Sequence, residues 1–74
     1  MELKTRFAEK RITRGYTQEQ LRKEINKFGD NCMQSEISAY ENLERLPSIA
    51  RVLIISKVLK CTVEELYYFI EEQE

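Results

Sequence analysis

The sequence predicts an all-α fold of five helices, arranged as a single domain over residues 1–74. Three observations favour this fold class. Apolar residues recur at helical spacing along most of the chain. Two segments begin with a Thr followed three residues later by Gln or Glu, the capping-box pattern of a helix N-terminus. Only two Gly and one Pro are present, which disfavours a sheet-rich fold.

The first two helices are bounded by clear stop and start signals. The first is predicted over about residues 3–14, and Gly15 follows as its stop. The second begins at Thr17, which forms a capping box with Gln20, and Gly29 can end it in the left-handed conformation. The side chains expected to face inward are Leu3, Phe7, Ala8, Ile12, Leu21, Ile25 and Phe28.

The segment CMQSEISAYEN, residues 32–42, predicts a third helix with two unlike faces. Asn31 could cap it, or it could begin a residue or two later. Met33, Ile37 and Tyr40 share the face expected to pack inward. The opposite face is slim, uncharged and rich in hydrogen-bonding groups. It consists of Gln34, Ser35, Ser38, Ala39 and Asn42.

Two further helices follow a loop that contains Pro47. The fourth is predicted over about residues 48–60. The fifth begins at Thr62, which forms a capping box with Glu65 in an acidic first turn that suits the helix dipole. The side chains expected to face inward are Ile49, Val52, Leu53, Ile55, Ser56 and Leu59, then Val63, Leu66 and Phe69 or Ile70.

Composition excludes several functional classes. The chain contains no His, and Cys32 and Cys61 lie in no metal-ligand spacing, so we expect two reduced thiols. It also lacks a Gly-rich phosphate loop, a nucleophile constellation and a carboxylate pair with a reason to be desolvated. We therefore expect no catalytic activity, metal, cofactor or small-molecule ligand. No signal peptide or bilayer-spanning run is visible, so we expect a cytoplasmic protein without a membrane partner.

Charge is distributed unevenly, although the formal net charge is only -1. Residues 1–27 hold eight Lys or Arg against four Glu, residues 28–60 are neutral overall, and residues 61–74 hold five Glu and no base. The local field steers a polyanion more than the total charge does. The cationic first third therefore suits a nucleic-acid partner, or else is a solvated face.

The order of these segments resembles the phage repressor and Cro helix-turn-helix family. Three pieces carry the resemblance: KRITRGYTQEQL, SEISAYEN and PSIARVLIISKVLKCTVEEL. Together they extend from about Phe7 to Leu66. The resemblance implies a five-helix, lambda-repressor-like domain whose second and third helices form the helix-turn-helix. It also implies a DNA-binding transcription regulator that pairs on a roughly palindromic operator. Because only one domain is predicted, we expect a Cro-like or small accessory regulator rather than a full inducible repressor.

The resemblance assigns roles to residues of the third helix and its surroundings. Gln34, Ser35 and Ala39 would read base edges in the major groove, with Ser38 close to the groove wall. The alternative for these residues is plain helix surface. The residues expected at DNA phosphates are Gln18, Asn42 and Arg45, with Arg14, Arg22 and Lys23 as further candidates. Arg11 and Glu41 would form a partly buried ion pair, or else an exposed one.

The sequence departs from the family pattern at three places. NKFGDN lengthens the turn between the second and third helices by about five residues relative to that pattern. Arg22 stands where the family prefers Ala. Leu43 replaces the Gly that commonly follows EN, and because a left-handed Leu costs about 1–2 kcal/mol, we expect the loop to take another route.

The last predicted helix carries four consecutive large apolar side chains. Tyr67, Tyr68, Phe69 and Ile70 cannot all be buried by one turn against so small a core, so some are expected at an interface. A homodimer is the first interpretation, a different protein partner the second, and mere surface aromatics the third. A competing hypothesis is a protein-interaction module, such as an antirepressor or antitoxin, that keeps the helix-turn-helix fold.

Overall fold

A computed structural model describes residues 1–71 as five helices and one two-stranded antiparallel sheet. The five predicted helices are confirmed, but the all-α prediction is wrong in detail, because residues 2–5 and 67–70 form strands. In chain order the elements are β1 (Glu2–Thr5), α1 (Phe7–Thr13), α2 (Gln18–Asn26), α3 (Gln34–Glu41), α4 (Ile49–Leu59), α5 (Val63–Leu66) and β2 (Tyr67–Ile70).

The sheet shortens the first and last predicted helices. β1 and β2 run antiparallel, with Leu3 opposite Phe69 and Thr5 opposite Tyr67. The Thr5 hydroxyl donates to the Leu66 carbonyl at 2.9 Å and accepts from the Phe7 N–H at 3.0 Å. It thereby ends the strand and starts α1. Aromatic and branched side chains suit a pleated, half-covered surface, which favours the extended form of YYFI.

The core lies where the five helices converge. Its buried residues are Phe7, Leu21, Ile25, Cys32, Ile37, Tyr40, Ile55, Leu59 and Leu66. All but Cys32 were predicted to face inward. Several other residues predicted to face inward are exposed, because so small a core cannot cover every apolar side chain of the helices, the turn and the strands. These are Ile12, Phe28, Met33, Ile49, Leu53, Phe69 and Ile70.

Helix ends follow local hydrogen bonding. Thr17 and Thr62 form the two predicted capping boxes, and the Ser48 hydroxyl accepts the Arg51 N–H at 3.1 Å. The third helix begins after Met33 rather than at Asn31, since the Glu36 carboxylate accepts the Met33 N–H at 3.1 Å.

Leu43 adopts the left-handed conformation that the sequence argument rejected, with φ +58°. The Glu44 N–H donates to the Ala39 carbonyl at 2.9 Å, and the Leu43 N–H donates to the Tyr40 carbonyl at 3.4 Å. This is the Schellman pattern, which satisfies the last carbonyls of a helix. These hydrogen bonds offset the cost of a left-handed Leu, so α3 ends here without Gly.

Candidate nucleic-acid interface

The slim face of α3 points away from the core. Ile37 and Tyr40 on the other side of the helix are buried, whereas Gln34 and Ser35 are exposed. Ser38 and Ala39 are half-buried at the flank of the same face. The exposure of Gln34 and Ser35 shows that the turn between α2 and α3 leaves the start of this face uncovered. α3 therefore presents a neutral, narrow surface of amide, hydroxyl and methyl groups to an outside partner.

A chain of side-chain hydrogen bonds links α3 to α2 and α1. The Gln34 Nε2 donates to the Gln18 Oε1 at 3.4 Å, and the Gln18 Nε2 donates to the Glu41 Oε1 at 3.1 Å. Glu41 in turn accepts from Arg11, at 2.6 Å from Nε and 3.3 Å from Nη2. The structure thus connects both ends of α3 through Gln18, a residue of the neighbouring helix.

The Arg11–Glu41 pair is largely sheltered from water. The side chains are 14% and 9% exposed, and Arg11 also donates to the Tyr16 carbonyl at 2.8 Å. The guanidinium is therefore bound on two sides, by the end of α3 and by the turn between α1 and α2. This geometry holds the C-terminal end of the candidate reading helix against α1.

The residues expected at phosphates differ in what their side chains contact. Asn42 and Arg45 are exposed just beyond α3, and Lys23 is exposed on α2. Within residues 1–71, neither Arg45 nor Lys23 makes an ion pair. Arg14 instead donates to the Leu59 carbonyl at 3.0 Å, and Arg22 pairs with Glu19 one turn earlier. Their guanidinium groups are thus engaged within the molecule.

Arg51 is a site residue that the sequence analysis missed. Its guanidinium donates to both Asp30 oxygens at 2.8 and 2.9 Å, to Glu36 at 2.6 Å and to the Tyr40 hydroxyl at 2.9 Å. The hydrogen bonds from Arg51 hold the pKa of Asp30 below its ordinary value. The one signal in the sequence was the position of this charge among the apolar residues 49–55, and it did not indicate which residues Arg51 would bind.

Glu36 is bound from two directions in the first turn of α3. Partial burial acts to raise its pKa, but the Met33 N–H and the Arg51 guanidinium outweigh that effect and lower it. The ionised carboxylate is therefore the stable form at this site. It caps α3 and contacts α4 at the same time.

The four C-terminal apolar residues do not form one patch, because side chains alternate across a strand. The Tyr67 hydroxyl donates to the Tyr40 carbonyl at 3.2 Å, and burial raises the pKa of Tyr67. The Arg6 guanidinium stacks on the Tyr68 ring, 4.3 Å from its centre. Phe69 is 60% exposed and Ile70 is 40% exposed.

An apolar groove of about 230 Å³ adjoins the exposed Phe69. Its walls come from both strands, the loop before α4, α4 itself and the start of α5. The lining residues are Leu3, Leu46, Pro47, Val52, Val63, Tyr67 and Phe69. Leu53, on the same α4 as Val52, is 56% exposed. The outward apolar surface is therefore wider than the C-terminal segment that the sequence indicated.

No group of His, Cys, Asp and Glu residues in 1–71 is arranged to hold a metal ion. No helix within the same residues is long and apolar enough to cross a membrane.

Two short helices joined by a turn, the second with an exposed neutral face, define a helix-turn-helix unit. A family model described as helix-turn-helix matches residues 7–66 of the chain. The chain therefore belongs to the phage repressor and Cro-type helix-turn-helix family of DNA-binding regulators. No curated protein and no solved structure gives a significant match.

Proposed function

We propose that this protein reads a specific DNA sequence by placing residues 34–42 in the major groove. The observation that carries the proposal is the exposed, uncharged face of α3, held at its two ends by Gln18 and by the Arg11–Glu41 pair. A major groove about 12 Å wide admits a helix whose outer side chains are short. Small hydroxyl, amide and methyl groups also match the donors, acceptors and methyls of base edges.

Each reading residue suits particular bases. The Gln34 amide can bind adenine at N6 and N7, and the Ser35 hydroxyl can donate or accept with either base type. The Ala39 methyl can contact a thymine methyl, and Ser38 lies beside it at the groove wall. Because Gln34 already donates to Gln18, its amide plane is oriented before DNA arrives.

Phosphate contacts fix the register of the helix on DNA. Gln18 begins α2, where unpaired N–H groups favour an anion, and Asn42 and Arg45 are exposed beyond the end of α3. Lys23 adds a cation on α2 that makes no ion pair within residues 1–71. Arg14 and Arg22 are weaker candidates, since each is engaged elsewhere. We expect log K to fall by about 0.9 per unit of log salt for each phosphate contacted.

We infer further that two copies bind a roughly palindromic operator and repress by covering a promoter, as a phage or mobile-element regulator does. Symmetric pairing matches two half-sites one helical turn apart. The apolar groove lined by Phe69 and the exposed Leu46 and Leu53 support self-association, because exposed apolar surface is stabilised when a second protein surface covers it.

A second candidate function is a helix-turn-helix module that binds another regulator protein. The same exposed groove supports it, with Phe69 and Leu46 as anchors for the partner. In that case α3 would make no sequence-specific contact with DNA.

Band shifts at two salt concentrations, with duplexes from the protein's own upstream DNA, separate the two candidates. The regulator requires specific binding that Gln34→Ala weakens by about 1–3 kcal/mol for each half-site, while the helical circular dichroism is unchanged. Phe69→Asp should lower the solution mass to that of a monomer, whereas the equally exposed Ile12→Asp should not. A protein that binds no specific DNA but forms a tight complex lost in Phe69→Asp supports the module.

A further inference from the structure

We propose that Arg51 is a positioning residue that sets the angle of the reading helix by clamping the lengthened turn and the first turn of α3 onto α4. The proposal rests on the proposed function. It concerns how the chain presents α3 despite a connection of seven residues, 27–33, between α2 and α3.

The contacts of Arg51 span three separate elements. Its Nε and Nη2 bind the two oxygens of Asp30 in the turn, and its Nη1 binds Glu36 and the Tyr40 hydroxyl on α3. Asp30 and Glu36 therefore share one cation that originates on α4. A planar guanidinium with five N–H donors can hold this geometry, whereas a Lys ammonium cannot bridge it in the same way.

The side chains of the clamp are mostly buried, which restricts their motion. The Arg51 side chain is 14% exposed, and those of Asp30 and Glu36 are 26% and 21% exposed. In the turn itself, the Asn26 side-chain oxygen accepts the Cys32 N–H at 2.8 Å. The lengthened turn is thus tied at one end to α2 and in its middle to α4.

The clamp binds the N-terminal end of α3, whereas the Arg11–Glu41 pair binds its C-terminal end. Arg11 binds Glu41, the last residue of α3, and Arg51 binds Glu36 in its first turn. The backbone of α3 packs against α1 and α2 more closely than against α4. Side-chain hydrogen bonds from Arg51 therefore add a polar link between α3 and α4 to the apolar core that both helices share, and this link lies beside Gln34 and Ser35.

The test measures DNA affinity in Asp30→Asn, Arg51→Met, Arg51→Lys and a control, Lys10→Met. Lys10 pairs with Glu65 of α5 and with none of the clamp residues, so Lys10→Met removes one cation and one ion pair and leaves the contacts of Arg51 in place. Affinity for duplexes selected by the wild-type protein is measured at a temperature where urea titrations show every variant to be folded. Amide hydrogen exchange of residues 35–37 is measured in the same samples without DNA.

Asp30→Asn is the most informative variant, because the loss of a negative charge and the loss of the clamp predict opposite changes in DNA affinity. Removal of a negative charge alone strengthens DNA binding. Loss of the clamp weakens it by about threefold to tenfold, the range expected for one or two lost hydrogen bonds that fix a helix. We expect weaker binding, faster exchange at residues 35–37 and an unchanged salt slope. Arg51→Lys should recover part of what Arg51→Met loses, and Lys10→Met should show no faster exchange there.

Two outcomes separate this proposal from the proposed function. A wild-type protein that selects DNA, together with an Asp30→Asn variant that binds as tightly or more tightly with unchanged exchange at residues 35–37, overturns the positioning role alone. A wild-type protein that selects no DNA sequence overturns the proposed function, and the positioning role in DNA reading is overturned with it.

Discussion

The Gln34 side-chain amide donates to the Gln18 side-chain oxygen across 3.4 Å, which joins the first residue of α3 to the first residue of α2. Gln18 at the same time donates to Glu41 at the other end of α3. The residue proposed to contact a phosphate thus also hydrogen-bonds to the residue proposed to read a base.

Replacement of Gln18 tests this coupling. We expect Gln18→Ala to weaken specific DNA binding and to reduce the energetic effect of a second change, Gln34→Ala, since the two residues act through one hydrogen bond. A double-mutant cycle on the dissociation constant measures the interaction, which should be about 0.5–1.5 kcal/mol. Strict additivity of the two changes would show that the contact has no part in DNA binding.

Removal of one partner of the Arg11–Glu41 pair should destabilise the protein. Arg11→Met leaves the Glu41 carboxylate, 9% exposed, without its cation, and the free energy of unfolding should fall by about 3–5 kcal/mol. Urea titration gives this value. The double variant Arg11→Met with Glu41→Leu should recover much of the loss, because no charge is left stranded. An Arg11→Met variant as stable as the wild type would mean that the pair is effectively solvated.

Acid should weaken the clamp at Asp30. Its pKa is lowered in the folded protein, so the ionised form contributes stability that is fully present above the ordinary Asp value of about 3.9. That contribution is lost as the pH falls through the lower, folded value. Urea titrations at pH 7, 5 and 3 should show that the free energy of unfolding falls less steeply with decreasing pH in Asp30→Asn than in the wild type. Equal declines in the two proteins would contradict this assignment.

Lys60 ends α4 in the left-handed conformation, with φ +54°, and its side chain is exposed. Lys60→Gly should raise the free energy of unfolding by about 0.5–1 kcal/mol, the relief of backbone strain less the entropy that Gly adds to the unfolded chain. The matched change Lys57→Gly, inside the same helix, should lower it by about 1 kcal/mol. Thermal and urea unfolding measure both. A loss of stability in Lys60→Gly would show that the strain there is negligible.

Helix positions were predictable from the sequence because caps and apolar spacing act locally. The Thr17 and Thr62 capping boxes fixed two helix starts, and the spacing of Ile37 and Tyr40 identified the buried side of α3 without knowledge of where that helix began. The outward direction of Gln34 and Ser35 followed from the same spacing.

The remaining features depend on contacts between distant parts of the chain. β1 forms only because residues 67–70 return beside it, and helical spacing in residues 3–8 carries no sign of that pairing. Arg51 binds Asp30, which lies 21 positions earlier in the sequence. No local sequence pattern specifies the path of the turn that contains Asp30. Leu43 is left-handed because hydrogen bonds to two carbonyls of α3, those of Ala39 and Tyr40, favour the Schellman ending over the steric preference of the residue itself.

Selection of bound duplexes from a random DNA pool, carried out in parallel with the wild-type protein and Gln34→Ala, tests the reading role of α3 most directly. The wild type should enrich a motif with two related half-sites. Gln34→Ala should lose preference at one base pair in each half-site, at a cost of about 1–3 kcal/mol, and keep the rest of the motif. The same motif at the same affinity with both proteins, or no motif with either, would contradict the account.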